Sequence, residues 1–201
     1  MDTTAAPSLS LRAARVVTEA LSPAVIVVVL SLAVAWFGTG HDLAATAGWG
    51  LLAAVFYCVI PMVILVRGSR SGRWGGHWVR ERERRFVPFL LILASALVGL
   101  AIMLVGDAPR AVIALSWSMI VTLVACLVIT KWWKVSVHAA VAGGAVATIA
   151  LLYGPWYLLL AAAVALVCWS RVVVEAHTVA QVVVGALVGP IVGGAVFLAL
   201  R

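Results

Sequence analysis

The chain has 201 residues, 65% of them hydrophobic and 10% charged, with a formal net charge of +7. A soluble globule carries roughly 45–50% apolar and about 25% charged residues, so this composition, with a mean hydropathy of +1.19, excludes a soluble domain. The basic balance does not indicate nucleic acid, because the cations flank apolar runs, where they serve as topology signals or phosphate ligands.

At about 20 residues per span there is room for six or seven transmembrane helices and little else. The expected fold is an all-α polytopic membrane bundle forming one domain over residues 1–201. The first span is expected at Leu21–Phe37. Arg12 and Arg15 ahead of it resemble the start of a secretory signal, but Trp36 and Phe37 close the run without a small-residue cleavage site, which predicts an uncleaved span.

A polar turn, Gly38 to Asp42, leads into a second span ending near Val66. Residues 67–85 hold seven Arg, two Glu and four Gly and are expected as a loop or interfacial helix at headgroup depth. A third span, Phe86–Val105, turns at Gly106–Arg110 into a fourth that ends near Thr130. A fifth follows His138 and ends at Tyr153, a sixth covers Trp156–Trp169, and the last runs from His177 to Leu200. Cys58, Cys126 and Cys168 lie inside apolar runs without disulfide or metal spacing and are expected as buried free thiols. Gly185, Gly189 and Gly193 recur every four residues, a close-packing face that serves either the chain itself or a homodimer.

This span order puts residues 67–85, Lys131–His138 and Ser170–Gln181 on one side of the membrane, each preceding an odd-numbered span. That side carries twelve Lys and Arg, counting Arg12 and Arg15, against Arg110 and Arg201 on the other. The excess predicts that the polar segments face the cytoplasm at a cell membrane. Leaving out Arg84, Arg85, Lys131, Lys134 and Arg171 as candidate ligands still leaves seven against two.

Ionisable groups at the edge of a span cost on the order of a few kcal/mol unless they face protein or water, so these segments are where function is sought. In a helix beginning near Arg171, His177 and Gln181 share a face, so that the amide can aim the imidazole. The Arg171 fork suits a phosphate. Lys134, Ser136 and His138 alternate as an extended segment entering a helix and offer a cation, a hydroxyl and a second imidazole. Two imidazoles with several cations suit phosphoryl transfer. Glu175, four residues after Arg171, is expected to pair with it along a helix. Lys131, Trp132 and Trp133 read as an interfacial anchor, and His41 as incidental.

Ser170-Arg171, five residues, His177, three residues, Gln181 resembles the third signature of the type 2 phosphatidic acid phosphatase superfamily, which ends in Asp. Val135-Ser136-Val137-His138 resembles its second, Pro-Ser-Gly-His, and Arg80 to Pro88 occupies the place of the first, Lys, six residues, Arg-Pro. The resemblance extends over residues 67–200, with the three segments between 80 and 181. It implies His177 as nucleophile, His138 as general acid, and Arg171, Ser136 and Arg84 or Arg85 as phosphate ligands, without metal or cofactor. Lys134 stands in for the missing Lys of the first signature.

The implied activity is hydrolysis of a prenyl or glycerolipid phosphate or diphosphate through a phosphohistidine. The implied partners are that lipid phosphate and the surrounding membrane lipids. Gln181 departs from the family Asp, and this opens two alternatives: a relative that binds or transports a lipid phosphate, and a phosphotransferase with an acceptor other than water.

Overall fold

The computed structural model describes residues 8–70 and 86–201. These residues are helical, with no strand among them, and form α1 (Leu9–Ala20), α2 (Pro23–Gly38), α3 (Leu43–Ala54), α4 (Ile60–Arg70), α5 (Phe86–Val105), α6 (Arg110–Trp132), α7 (Val137–Tyr153), α8 (Ala161–Val173), α9 (Val179–Val188) and α10 (Ala195–Leu200). Five-residue π-helical Val55–Val59 makes α3 and α4 one rod, Gly189–Gly194 does the same for α9 and α10, and a 3-10 turn at Pro155–Leu160 leads into α8. The first π-turn has a local cause. Pro61 has no N–H for the Tyr57 carbonyl, and the Ile60 N–H reaches back to the Val55 carbonyl instead.

Six helical segments among the described residues are long and apolar enough to cross a membrane: Leu9–Gly38, Leu43–Arg70, Val87–Val105, Arg110–Trp132, Pro155–Val173 and Val179–Leu200. The fifth expected span, Val137–Tyr153, has 17 residues, about 26 Å at the α-helical rise. It nevertheless joins the two ends of the bundle. Its start lies beside α9, where the Ser136 N–H donates to the Gln181 carbonyl at 3.2 Å. At its far end the Tyr153 hydroxyl donates to the Ala33 carbonyl of α2 at 2.7 Å, and its ring meets Phe37 edge-on.

Caps fix where the helices begin. Asp42 accepts from the Ala45 N–H at 2.6 Å at the head of α3, Ser136 caps α7, and Pro23 occupies the first turn of α2, where its missing N–H costs nothing. α1 was not expected. It is a separate amphipathic helix ahead of the first span, broken from α2 at Leu21 and Ser22, and it packs its Ala14 and Thr18 face on α8. α4 also runs through Arg67 to Arg70, four residues beyond the span end read from hydropathy, so this part of the basic segment is helix and not loop.

The core consists of small and branched side chains from α2, α3, α5 and α6, with Val34, Ala114 and Phe197 wholly buried toward the end that carries Arg110. α7 lies against α9 through glycine. A Cβ at Gly185 would fall on the Ser136 carbonyl, one at Gly189 on Ala140 and Gly144, and one at Gly193 would stand 2.6 Å from the Thr122 hydroxyl of α6. The four-residue glycine stripe therefore packs within this chain.

Candidate functional site

The chain leaves α6 at Trp133 with an extended backbone (φ −151°, ψ 133°) and enters α7 at Val137, as the alternation of Lys134, Ser136 and His138 predicts. Val135 and Ser136 are fully buried. The Ser136 hydroxyl oxygen accepts from the Ala139 N–H at 3.4 Å, which commits it to capping α7. His138 follows in the first helical turn, buried, with its ring toward the interior of the bundle.

The second wall differs from the single helix expected over residues 171–181. Arg171 sits in the last turn of α8, and the helix ends at Val173. Glu175 adopts a left-handed conformation (φ 55°), its N–H donating to the Val172 carbonyl at 2.9 Å while the Ala176 N–H reaches the Arg171 carbonyl at 3.1 Å. This is a Schellman turn, and it removes the helical four-residue register that would have paired Glu175 with Arg171. Glu175 is exposed.

The His177 N–H also donates to the Arg171 carbonyl, at 3.2 Å, so the guanidinium and the imidazole are tied through one carbonyl across a tight reversal. Lys134 closes the arrangement from the other wall. Its ammonium donates to the Ala176 carbonyl at 2.7 Å, immediately before His177.

His177 thus precedes α9 instead of lying on it, yet the expected partner still reaches it. Thr178 caps α9, with its hydroxyl accepting from the Gln181 N–H at 3.4 Å while the Gln181 side-chain oxygen accepts from the Thr178 N–H at 3.2 Å. The same oxygen lies 3.1 Å from His177 Nδ1. An amide oxygen only accepts, so Nδ1 is the donor in this pair. The capping box is legible in the sequence as Thr178-x-x-Gln181, a helix-start signal that places the beginning of α9 after His177.

His138, Arg171 and His177 line one cavity of about 240 Å³ inside the bundle. The rest of its wall comes from the inward faces of α2, α4, α5, α6 and α7 and is mostly apolar, including Tyr57 and Cys58 of the first π-turn. The Arg171 guanidinium thus stands at the polar end of an otherwise apolar cavity, beside the two imidazoles.

Of the residues expected at the site, His138, Arg171 and His177 meet at the cavity, Gln181 supports His177 from behind, and Ser136 and Lys134 do not line the cavity; one caps α7 and the other holds the α8–α9 turn. Arg84 and Arg85 lie outside the described residues, as do Arg73, His77 and the Arg80 to Arg85 part of the first signature. A further contact joins α1 to this end: the Thr18 hydroxyl donates to Ser170 Oγ at 3.1 Å, which in turn donates to the Val167 carbonyl at 2.8 Å. Cys58, Cys126 and Cys168 are free thiols, the first two buried and Cys168 half-buried. His41 stands at the opposite end of the bundle against Trp36. No protein-family model, no curated protein and no solved structure matches this chain.

Proposed function

We propose that this chain is a membrane-embedded lipid phosphatase of the type 2 phosphatidic acid phosphatase kind, acting on a prenyl or glycerolipid phosphate. The observation that carries the reading is the convergence of His138, Arg171 and His177, from three separate segments, on the polar end of one apolar cavity. With Nδ1 donating to Gln181, a neutral His177 offers Nε2 as the nucleophile. In the proposed reaction its Nε2 attacks phosphorus, the bond to the lipid oxygen breaks, and the departing alkoxide takes a proton from the His138 imidazolium. Water then attacks the phosphohistidine, His138 accepts its proton, and inorganic phosphate leaves. Arg171 clamps the equatorial oxygens, and the N-terminal turn of α7 adds partial positive charge on the same side.

The cytoplasmic orientation belongs to the same proposal. Among the described residues Arg12, Arg15, Arg67, Arg70, Lys131, Lys134 and Arg171 lie toward the site end, and Arg110 and Arg201 toward the other. This bias favours a substrate presented by the inner leaflet of the cell membrane.

Gln181 supports a second reading, in which the pocket binds or carries a lipid phosphate without turnover, because a neutral amide stabilises an imidazolium less than a carboxylate does. The test is phosphate release from a lipid panel by the purified protein in chelator. Release that disappears in His177→Ala and falls by about 10²–10⁴-fold in His138→Ala supports the phosphatase. Undiminished release in His177→Ala sinks it.

A further inference from the structure

We infer that the cavity holds the apolar chain of the substrate inside the bundle and limits its length. The inference rests on the phosphatase reading for the position of the phosphate, and on the shape of the cavity for everything else. From the polar end the wall descends along α7 from His138 to Thr148 and along α6 from Cys126 to Leu115. Ten or eleven residues at the α-helical rise give a depth of about 15 Å. The walls of α2 and α5 begin at the same end, at Pro23 and Pro88, and descend in parallel to Leu30 and Ala96.

The cavity has a floor. Leu30 and Leu115 belong to one buried cluster with Val34, Ala114 and Phe197, and these three are wholly buried below them. A chain entering beside the histidines therefore runs into packed protein before the far end of the bundle.

Both ends of the cavity specify the guest. Arg171 and the two imidazoles at the polar end select a phosphate, and the apolar bore below them gains from burying a hydrocarbon chain at about 0.8 kcal/mol per methylene. At roughly 1.25 Å of advance per carbon in an extended chain of 1.5 Å bonds, 15 Å accommodates about 12 backbone carbons, which is about three isoprene units. A bore of about 240 Å³ is of the order of a single such chain. The substrate class is a single-chain lipid phosphate of intermediate length, a short prenyl phosphate in preference to a diacyl lipid or a long polyprenyl carrier. Ala145 lines the bore two turns below His138 and on the same helical face, so it is placed to set the usable depth.

The test compares prenyl monophosphates of one, three and eleven isoprene units and a diacylglycerol phosphate, reading both lipid retention by native mass spectrometry and phosphate release. The three-unit chain is expected to be retained at least tenfold better than the others. Ala145→Phe should lower the three-unit to one-unit retention ratio at least tenfold, Ala145→Val should lower it less, and Leu30→Ala should move the optimum toward four units. Because each readout is a ratio between two ligands on one protein sample, a loss of folded material does not imitate the effect.

Equal retention of the eleven-unit chain, or a ratio unchanged in both Ala145 variants, overturns the length limit even if phosphate is released. Length-selective retention without phosphate release leaves the chain site standing and overturns the phosphatase.

Discussion

The side-chain oxygen of Gln181 accepts hydrogen bonds from two donors at once, the Thr178 N–H at 3.2 Å and His177 Nδ1 at 3.1 Å. The first bond fixes which end of the amide faces the imidazole, and the second then makes Nδ1 the donor. A carboxamide in this position usually risks presenting its NH2 to the ring and reversing the tautomer. The capping box prevents that.

Gln181→Glu retains the geometry, since Glu also serves at the third position of a capping box, and adds a charge-assisted bond. It is expected to raise phosphate release on the order of tenfold. Because a carboxylate favours the imidazolium, which is not nucleophilic, the acid limb of the pH–rate profile should move to higher pH. Gln181→Ala removes both bonds and should lower the rate by about 10–100-fold and stability by about 1 kcal/mol. A Gln181→Glu protein with no turnover on any lipid phosphate would favour the binding-protein reading.

Lys134 is a positioning residue in this geometry, holding the Ala176 carbonyl at 2.7 Å and through it the backbone of His177. Lys134→Met should therefore lower kcat about tenfold and change KM less than threefold, with Lys134→Arg recovering most of the loss. A direct phosphate ligand would behave differently, raising KM strongly on removal. Steady-state kinetics on a soluble short-chain substrate separates the two.

Glu175 carries the strain of the reversal, with φ 55° in a turn where glycine or asparagine is usual. The left-handed conformation costs a side chain about 1–2 kcal/mol, and glycine returns about 0.5–1 kcal/mol of that as unfolded-chain entropy. Glu175→Gly is thus expected to stabilise the protein by about 0.5–1 kcal/mol in thermal unfolding in detergent, while Glu175→Val destabilises it. If Glu175 instead held Arg171 as an ion pair, the glycine variant would lose stability.

The spans were legible because hydropathy and length act on every residue of a membrane helix, and a lipid environment leaves few alternatives to helix. The convergence of Lys134, His138, Arg171 and His177 at one end followed from parity of the spans alone. α1 was missed because its apolar residues are interrupted by Arg12, Arg15 and Glu19, which lower hydropathy while leaving an amphipathic face for α8. The break between Arg171 and His177 was missed because its left-handed residue is a glutamate, which carries no turn signal. The cavity was beyond sequence reasoning for a different reason: its wall is assembled from five helices whose relative rotation is set by packing, and Tyr57 and Cys58 line it from a π-turn that hydropathy does not mark.

The glycine stripe gives a graded prediction, because Gly189 and Gly193 meet different neighbours. At Gly189 a Cβ would strike the backbone of Ala140 and Gly144, which cannot turn aside, so α7 and α9 must separate. Overpacking of this kind costs about 3 kcal/mol. At Gly193 the obstacles are the hydroxyls of Thr122, at 2.6 Å, and Ser118, at 3.0 Å, and rotation of these side chains should limit the loss to about 1 kcal/mol. Gly48 in α3 has nothing within 4 Å of an added Cβ, so alanine there should stabilise by about 0.5–1 kcal/mol through helix propensity. Separating α7 from α9 also moves His138 away from His177, so Gly189→Ala should lose activity even at temperatures where it remains folded, whereas Gly193→Ala should retain most of it. Thermal unfolding in detergent and phosphate release on the same samples measure both orders. If Gly189→Ala instead converted a dimer to a monomer at unchanged stability, the stripe would be a surface between copies and not the seam that brings the two histidines together.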